Sequence, residues 1–183
     1  MNIPNILTVI RIILVPVFVI FLIRGSFLSA LVVFVVAGIT DALDGFLARV
    51  LNQQTVLGAY LDPIADKALV ATSFVSLSIM GFIPGWLAVI VISRDSIILL
   101  GILLFFILSV SFEMKPAFVS KLTTVFQILT VVFVLLFQCF PRYAWDNVLG
   151  TLIWSTAVVT VISGLYYIRV WFLYAGRGPR NNE

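Results

Sequence analysis

Asp41-Ala42-Leu43-Asp44-Gly45-Phe46-Leu47-Ala48-Arg49, answered by Gly58-Ala59-Tyr60-Leu61-Asp62-Pro63-Ile64-Ala65-Asp66, is the stretch that decides how this chain is read. The two segments hold four of the chain's eight acids. The other residues of this 183-residue chain offer them little water, since 62% of it is hydrophobic and only 10% is charged. Ionisable groups among hydrocarbon are costly, and a cluster of them marks a functional site by default. Four acids on a solvated helix end would be the bland reading, and the nearly uniform apolar flanks disfavour it.

Outward from this patch the chain is a series of long apolar runs with brief polar breaks. A helical span needs about 20 mainly apolar residues, and six such runs are predicted: 5–23, 27–49, 62–80, 84–110, 118–140 and 147–172. Gly, Pro and Asn punctuate the cuts at Arg24-Gly25-Ser26, Asn52-Gln53-Gln54-Thr55, Gly81-Phe82-Ile83-Pro84-Gly85 and Pro141-Arg142-Tyr143. The expected fold is therefore an all-α integral membrane protein with six transmembrane helices in a single domain over 1–183. No internal repeat, low-complexity tract or soluble domain interrupts it.

Cytoplasmic flanks carry the excess of Lys and Arg. Arg49, Lys115, Lys121, Arg169, Arg177 and Arg180 fall on the side shared by both termini, and Arg24 and Arg142 fall opposite. Both termini and the aspartate patch are thus expected in the cytoplasm. The opening Met1-Asn2-Ile3-Pro4-Asn5 lacks a charged leader and a cleavage site, so the first run is expected to be a retained span of a bacterial inner membrane. A net charge of +3 suits anionic lipid headgroups, and no basic cluster with interleaved aromatics points to nucleic acid. Trp86, Tyr143, Trp145, Tyr166, Tyr167, Trp171 and Tyr174 lie near span ends and are read as interfacial belt residues. Cys139 is the only cysteine, which excludes an intrachain disulfide and a thiolate metal cluster.

Asp41 and Asp44 are three apart and Asp62 and Asp66 four apart, so on helices each pair shares a face. The short link between the segments lets both pairs meet at one mouth of adjacent helices. Pro63 either opens a helix capped by Asp62 or sits inside one begun near Gly58. Four ionised carboxylates converging at low dielectric repel one another unless cations intervene. Two divalent ions neutralise them, and oxygen-only ligands select hard ions such as Mg²⁺, Mn²⁺ or Ca²⁺. The chain has no His, which removes the usual invitation to Zn²⁺ and any His-based triad. A two-metal site suits displacement at phosphorus. Gly45 and Gly58 then let a phosphate or nucleotide approach the backbone, Ala48 keeps the same face shallow, and Arg49 offers a fork for a diphosphate. Ordinary helix packing accounts for the glycines equally well when they are taken alone.

The pattern Asp-x2-Asp-Gly-x2-Ala-Arg-x8-Gly-x3-Asp-x3-Asp resembles the signature of the CDP-alcohol phosphotransferase family, with all eight positions filled by Asp41, Asp44, Gly45, Ala48, Arg49, Gly58, Asp62 and Asp66. The resemblance extends to the six-span layout. It implies a homodimeric membrane enzyme, dependent on two Mg²⁺ or Mn²⁺ ions, that transfers a substituted phosphate from a CDP-linked donor to an alcohol and releases CMP. It also implies metal ligation by Asp41, Asp44, Asp62 and Asp66, with Asp66 further serving as general base. Gly45, Ala48 and Gly58 would border the CMP moiety, and Arg49 would reach its phosphates. The spacing alone does not separate Asp66 as base from Asp66 as ligand.

The opening Asn2-Ile3-Pro4-Asn5-Ile6-Leu7-Thr8-Val9-Ile10-Arg11 resembles the glycerophospholipid-forming branch, whose donor is CDP-diacylglycerol. Its members use either phosphatidylglycerol or glycerol 3-phosphate as acceptor. Ile92-Ser93-Arg94-Asp95 and the segment from Met114 to Gln127 look like the branch that uses phosphatidylglycerol and makes cardiolipin. Arg94 and Lys121 supply two cations and Asp95 subtracts one, which suits a monoanionic lipid better than a small dianion. Arg94 is accordingly expected in the substrate site together with Lys121. The alternatives stay open: Arg94 and Asp95 as a pair holding helices together, Lys121 as a snorkelling interface residue, and Arg11 as either a cavity residue or a brace for the first helix. The rival class is a small cation carrier whose carboxylates bind the transported ion.

Overall fold

The computed structural model describes residues 3–50, 56–107, 118–140 and 146–175, and the side chains of 10–40, 67–101, 118–140 and 147–171. Six helices run through them: α1 Ile3–Ile23, α2 Phe27–Val50, α3 Val56–Ile79, α4 Gly85–Ile107, α5 Phe118–Cys139 and α6 Asp146–Ala175. No strand occurs among the described residues.

Two of the connections show why the chain turns where it does. Gly25 follows α1 at φ +70° and Gly81 follows α3 at φ +79°, a region that costs glycine nothing and L side chains much. Each closes its helix with the same pair of bonds. Ser26 N donates to Phe21 O and Gly25 N to Leu22 O, both at 2.9 Å; Phe82 N donates to Leu77 O at 2.9 Å and Gly81 N to Ser78 O at 3.0 Å. This Schellman arrangement satisfies carbonyls that a helix end leaves open. The two turns meet through the rings of Phe27 and Phe82, edge to face with centroids 5.4 Å apart. The α1–α2 and α3–α4 turns therefore share one end of the bundle, and the acidic segments, at the far end of α2 and the beginning of α3, occupy the other.

Helix α3 begins at Val56, six residues before the predicted start at Asp62. Pro63 thus lies inside a helix, the second of the two readings of that residue. Val56, Leu57, Ala59 and Leu61 extend the apolar helix on the N-terminal side, at the cost of the one backbone hydrogen bond that proline cannot donate.

Packing runs α1 against α2 and α3, α3 against α4 and α5, α2 against α5, and α6 against α4 and α5. Phe18, Phe34, Phe74, Leu77, Leu87, Val131 and Leu135 form the centre of the core. The α5–α6 contact is a seam of small hydroxyls: Thr130 and Thr156 lie 2.7 Å apart, Thr156 also reaches Phe126 O at 3.3 Å, and Thr123 reaches Val159 O at 3.3 Å. Small polar residues of this kind let helix backbones approach and bond across the gap where lipid gives no hydrophobic drive. The outside is apolar, with Ile79 82% and Phe118 78% exposed. A contiguous apolar exterior of that kind marks a lipid or protein interface rather than a water-facing surface. Among the described residues, 118–139 and 147–171 are long and apolar enough to cross a bilayer, and shorter apolar stretches occupy 10–23, 27–40 and 67–79.

One close approach fixes α4 on α6. A Cβ on Gly101 would overlap the Trp171 indole. We expect Gly101→Ala to destabilise the fold by about 1–3 kcal/mol, the range for overpacking a filled core, read as a lower thermal unfolding midpoint in detergent; an unchanged midpoint would show that the indole can swing away.

Candidate functional site

Asp41 and Asp44 lie on the second half of α2, and Asp62 and Asp66 on the first half of α3. Along a continuous helix the first pair is separated by about 4.5 Å of rise and the second by about 6 Å, each on one face. The same two helices carry Gly45, Ala48 and Arg49 on α2 and Gly58 on α3, so the whole motif falls on two consecutive helices that α1 packs against. The side chains of these eight positions lie outside the described residues, as does the link 51–55.

Where the side chains are described again, residues just outside the motif in sequence help line an open-sided groove of about 420 Å³. Its walls come from Arg11 on α1, Phe34 to Ile39 on α2, Lys67 to Val70 on α3, and Thr124 to Val132 on α5. Gly38 precedes Asp41 by one helical turn, and Lys67 follows Asp66 directly. The volume lies in the ~300–1,000 Å³ range of small-molecule sites. The lining is apolar apart from Arg11, Lys67 and Thr124.

Behind Lys67 lies a buried charge cluster. Arg94 is only 4% exposed. It donates from Nη1 to Asp95 Oδ1 at 2.6 Å, from Nη2 to Ser120 at 2.6 Å and to Ser163 at 2.8 Å, and from Nε to Ser163 at 3.2 Å. The Tyr167 ring stands 5.9 Å from the guanidinium carbon, a cation–π distance. Lys67 Nζ donates to the same Asp95 Oδ1 at 2.8 Å, while Asp95 Oδ2 is buried with no hydrogen-bond partner. Residues of α3, α4, α5 and α6 are tied together at this point. Gly164 faces the Arg94 stem, where a Cβ would sit 3.7 Å from Cγ.

Of the two cations expected at the acceptor, Arg94 is thus placed in a network between helices, and Lys121 is exposed on α5; neither lines the groove. Arg11, which is buried, and Lys67 do. Tyr167 differs from its reading as a belt residue: it is 6% exposed, packed over Arg94, whereas its neighbour Tyr166 is 46% exposed. The sequence did carry a signal for Lys67, a lysine directly after the last motif aspartate in an apolar run, but nothing in the spacing distinguished it from an interface lysine.

Comparison with known proteins identifies the family. The profile of the CDP-alcohol phosphatidyltransferase family matches residues 1–163. The human cardiolipin synthase (CMP-forming) is 36% identical over 183 residues, covering 90% of this chain and 60% of the relative. A probable phosphatidylglycerophosphate synthase of Mycobacterium tuberculosis is 34% identical over 176 residues, covering 91% and 80%. The CDP-diacylglycerol--glycerol-3-phosphate 3-phosphatidyltransferase of Aquifex aeolicus is 31% identical over 180 residues, covering 97% and 96%. The chain spans about 60% of the length of its human relative, against nearly all of the Aquifex one. With a family profile over nine-tenths of its length and all eight motif positions filled, the chain belongs to the CDP-alcohol phosphatidyltransferase family.

Proposed function

We propose that this chain is a six-span membrane phosphatidyltransferase that joins CDP-diacylglycerol to the free hydroxyl of phosphatidylglycerol, giving cardiolipin and CMP. The observation that carries the reaction class is the eight-position motif on α2 and α3, within a chain matched by the family profile over 1–163. The apolar exterior and the apolar runs on five of the six helices support the spans.

The donor set fits a pair of hard divalent ions: four carboxylates on two adjoining helices, with no His in the chain. Asp41, Asp44, Asp62 and Asp66 would hold Mg²⁺ or Mn²⁺, which when bound supply charge neutralisation on the phosphate oxygens. Arg49 binds the donor diphosphate, and Gly45, Ala48 and Gly58 leave room for the CMP moiety. Asp66 takes the proton from the acceptor hydroxyl as its oxygen attacks the phosphatidyl phosphorus. The new P–O bond replaces the bond from that phosphorus to the bridging oxygen, and CMP leaves with the electron pair.

The acceptor assignment rests on the groove. Glycerol 3-phosphate is a small dianion that needs several cations, and Arg94 is already spent on Asp95, Ser120 and Ser163. An apolar groove with Arg11 and Lys67 at its wall suits a singly charged phosphodiester with acyl chains. Glycerol 3-phosphate is the second reading, since relatives bearing both activities in their names match at similar identity. Purified full chain in vesicles, given labelled CDP-diacylglycerol and each acceptor in turn, is expected to form labelled cardiolipin. Phosphatidylglycerophosphate as the main product, without cardiolipin, would overturn the first reading in favour of the second. A homodimer in the bilayer is part of the proposal and follows from the family alone.

A further inference from the structure

We propose that Lys67 is a phosphate-binding residue of the lipid substrate site and that Asp95 is its positioning residue, holding the ammonium at the groove wall. The proposal rests on the phosphatidyltransferase reading above and deepens it.

A plain structural ion pair would explain less of the geometry. Arg94 already neutralises Asp95 at 2.6 Å, so charge balance does not require Lys67. Asp95 Oδ1 accepts from both cations although Oδ2, buried and without a partner, was available to divide the load. With two cations on one carboxylate the cluster keeps a net charge of +1, and the excess sits on its outer member. The Lys67 side chain is 26% exposed, against 4% for Arg94. An ammonium has three donors, and the bond to Asp95 uses one. The remaining reach is toward the groove that Lys67 lines.

The location matters as much as the charge. Lys67 is the residue after Asp66, at nearly the same level of α3 though turned about 100° around its axis, and the groove's α2 wall ends at Ile39, two residues before Asp41. A lipid whose chain lies against Phe34, Val70 and Val132 would bring its phosphate to the level of the reacting centre at Lys67. A free lysine there would pay rotamer entropy each time it engaged a phosphate. Asp95, anchored by Arg94 and through it by Ser120 and Ser163, holds the ammonium in place beforehand.

The phosphate can be the diphosphate of the CDP-linked donor or the diester of the acceptor, and kinetics separates them. CMP release by full chain in phosphatidylcholine vesicles is measured across donor concentration and across concentrations of phosphatidylglycerol and glycerol 3-phosphate. The variants are Lys67→Met, Lys67→Arg and Asp95→Asn. Lys67→Met leaves Asp95 paired with Arg94 and so tests the contact without stranding a carboxylate. It is expected to raise one substrate's KM by about 10- to 100-fold, the scale of a lost charged hydrogen bond, with the other KM and the thermal midpoint little changed. Lys67→Arg is expected to recover most of the loss, and Asp95→Asn to move the same KM in the same direction by less. A rise confined to the donor assigns the donor diphosphate; a rise confined to an acceptor assigns the acceptor phosphate; either supports the proposal. Unchanged KM values overturn it, as does a fall in kcat and thermal midpoint without selectivity between substrates. Wild-type chain that releases no CMP refutes the underlying reading, and the inference falls with it.

Discussion

Asp66→Asn is expected to lower the rate of CMP release by about 10³-fold or more while CDP-diacylglycerol still binds. Asparagine keeps the size of the side chain and one oxygen, so packing of α3 is preserved. What it loses is the negative charge and, in the proposed mechanism, the ability to accept the acceptor's proton. A positioned general base contributes about 10²–10⁴ in rate, and weaker metal ligation adds to that. In the proposed mechanism Arg49 and the other three carboxylates would hold the donor, so its affinity should fall less than turnover. Single-turnover CMP release and donor binding, measured on the same preparation, separate the two effects. A variant retaining a tenth of the wild-type rate would remove Asp66 from the role of base.

Arg94→Ala is expected to act on the fold first. The guanidinium serves Asp95, Ser120 and Ser163 from a site that is 4% exposed. Its removal leaves Asp95 buried with only Lys67 in contact, and truncating one partner of a buried pair costs about 3–5 kcal/mol. The measurement is the thermal midpoint of the purified chain in lipid and detergent, expected to fall well below that of Lys67→Met. Arg94→Lys should recover only part, because an ammonium lacks the planar fork that reaches three partners at once. A near-normal midpoint together with a selective loss of acceptor affinity would instead return Arg94 to the substrate site.

Much of the fold could be read from the chain because its punctuation is physical. Gly25 and Gly81 close α1 and α3 at positive φ, and both lie at cuts where the apolar runs break. The exception was the start of α3, where Pro63 offered two readings and the aspartate next to it looked like a cap. The motif could be read because eight fixed positions constrain one another. The arrangement of Arg94, Asp95 and Lys67 could not, since it depends on which carboxylate oxygen receives which cation, with Lys67 and Asp95 28 residues apart in sequence. Periodicity puts a lysine on a helix; only packing shows whether it looks toward a carboxylate, a groove or the interface.

Helix α1 packs against both α2 and α3, the helices that carry the motif. All eight signature positions fall between Asp41 and Asp66, and the helix that braces α2 and α3 leaves the ribosome before either of them. The order of synthesis matches the order of support. The three later helices add the wall of the groove through α5 and the anchor of Lys67 through α4, so a nascent chain gains its motif before it gains the groove proposed to hold a lipid.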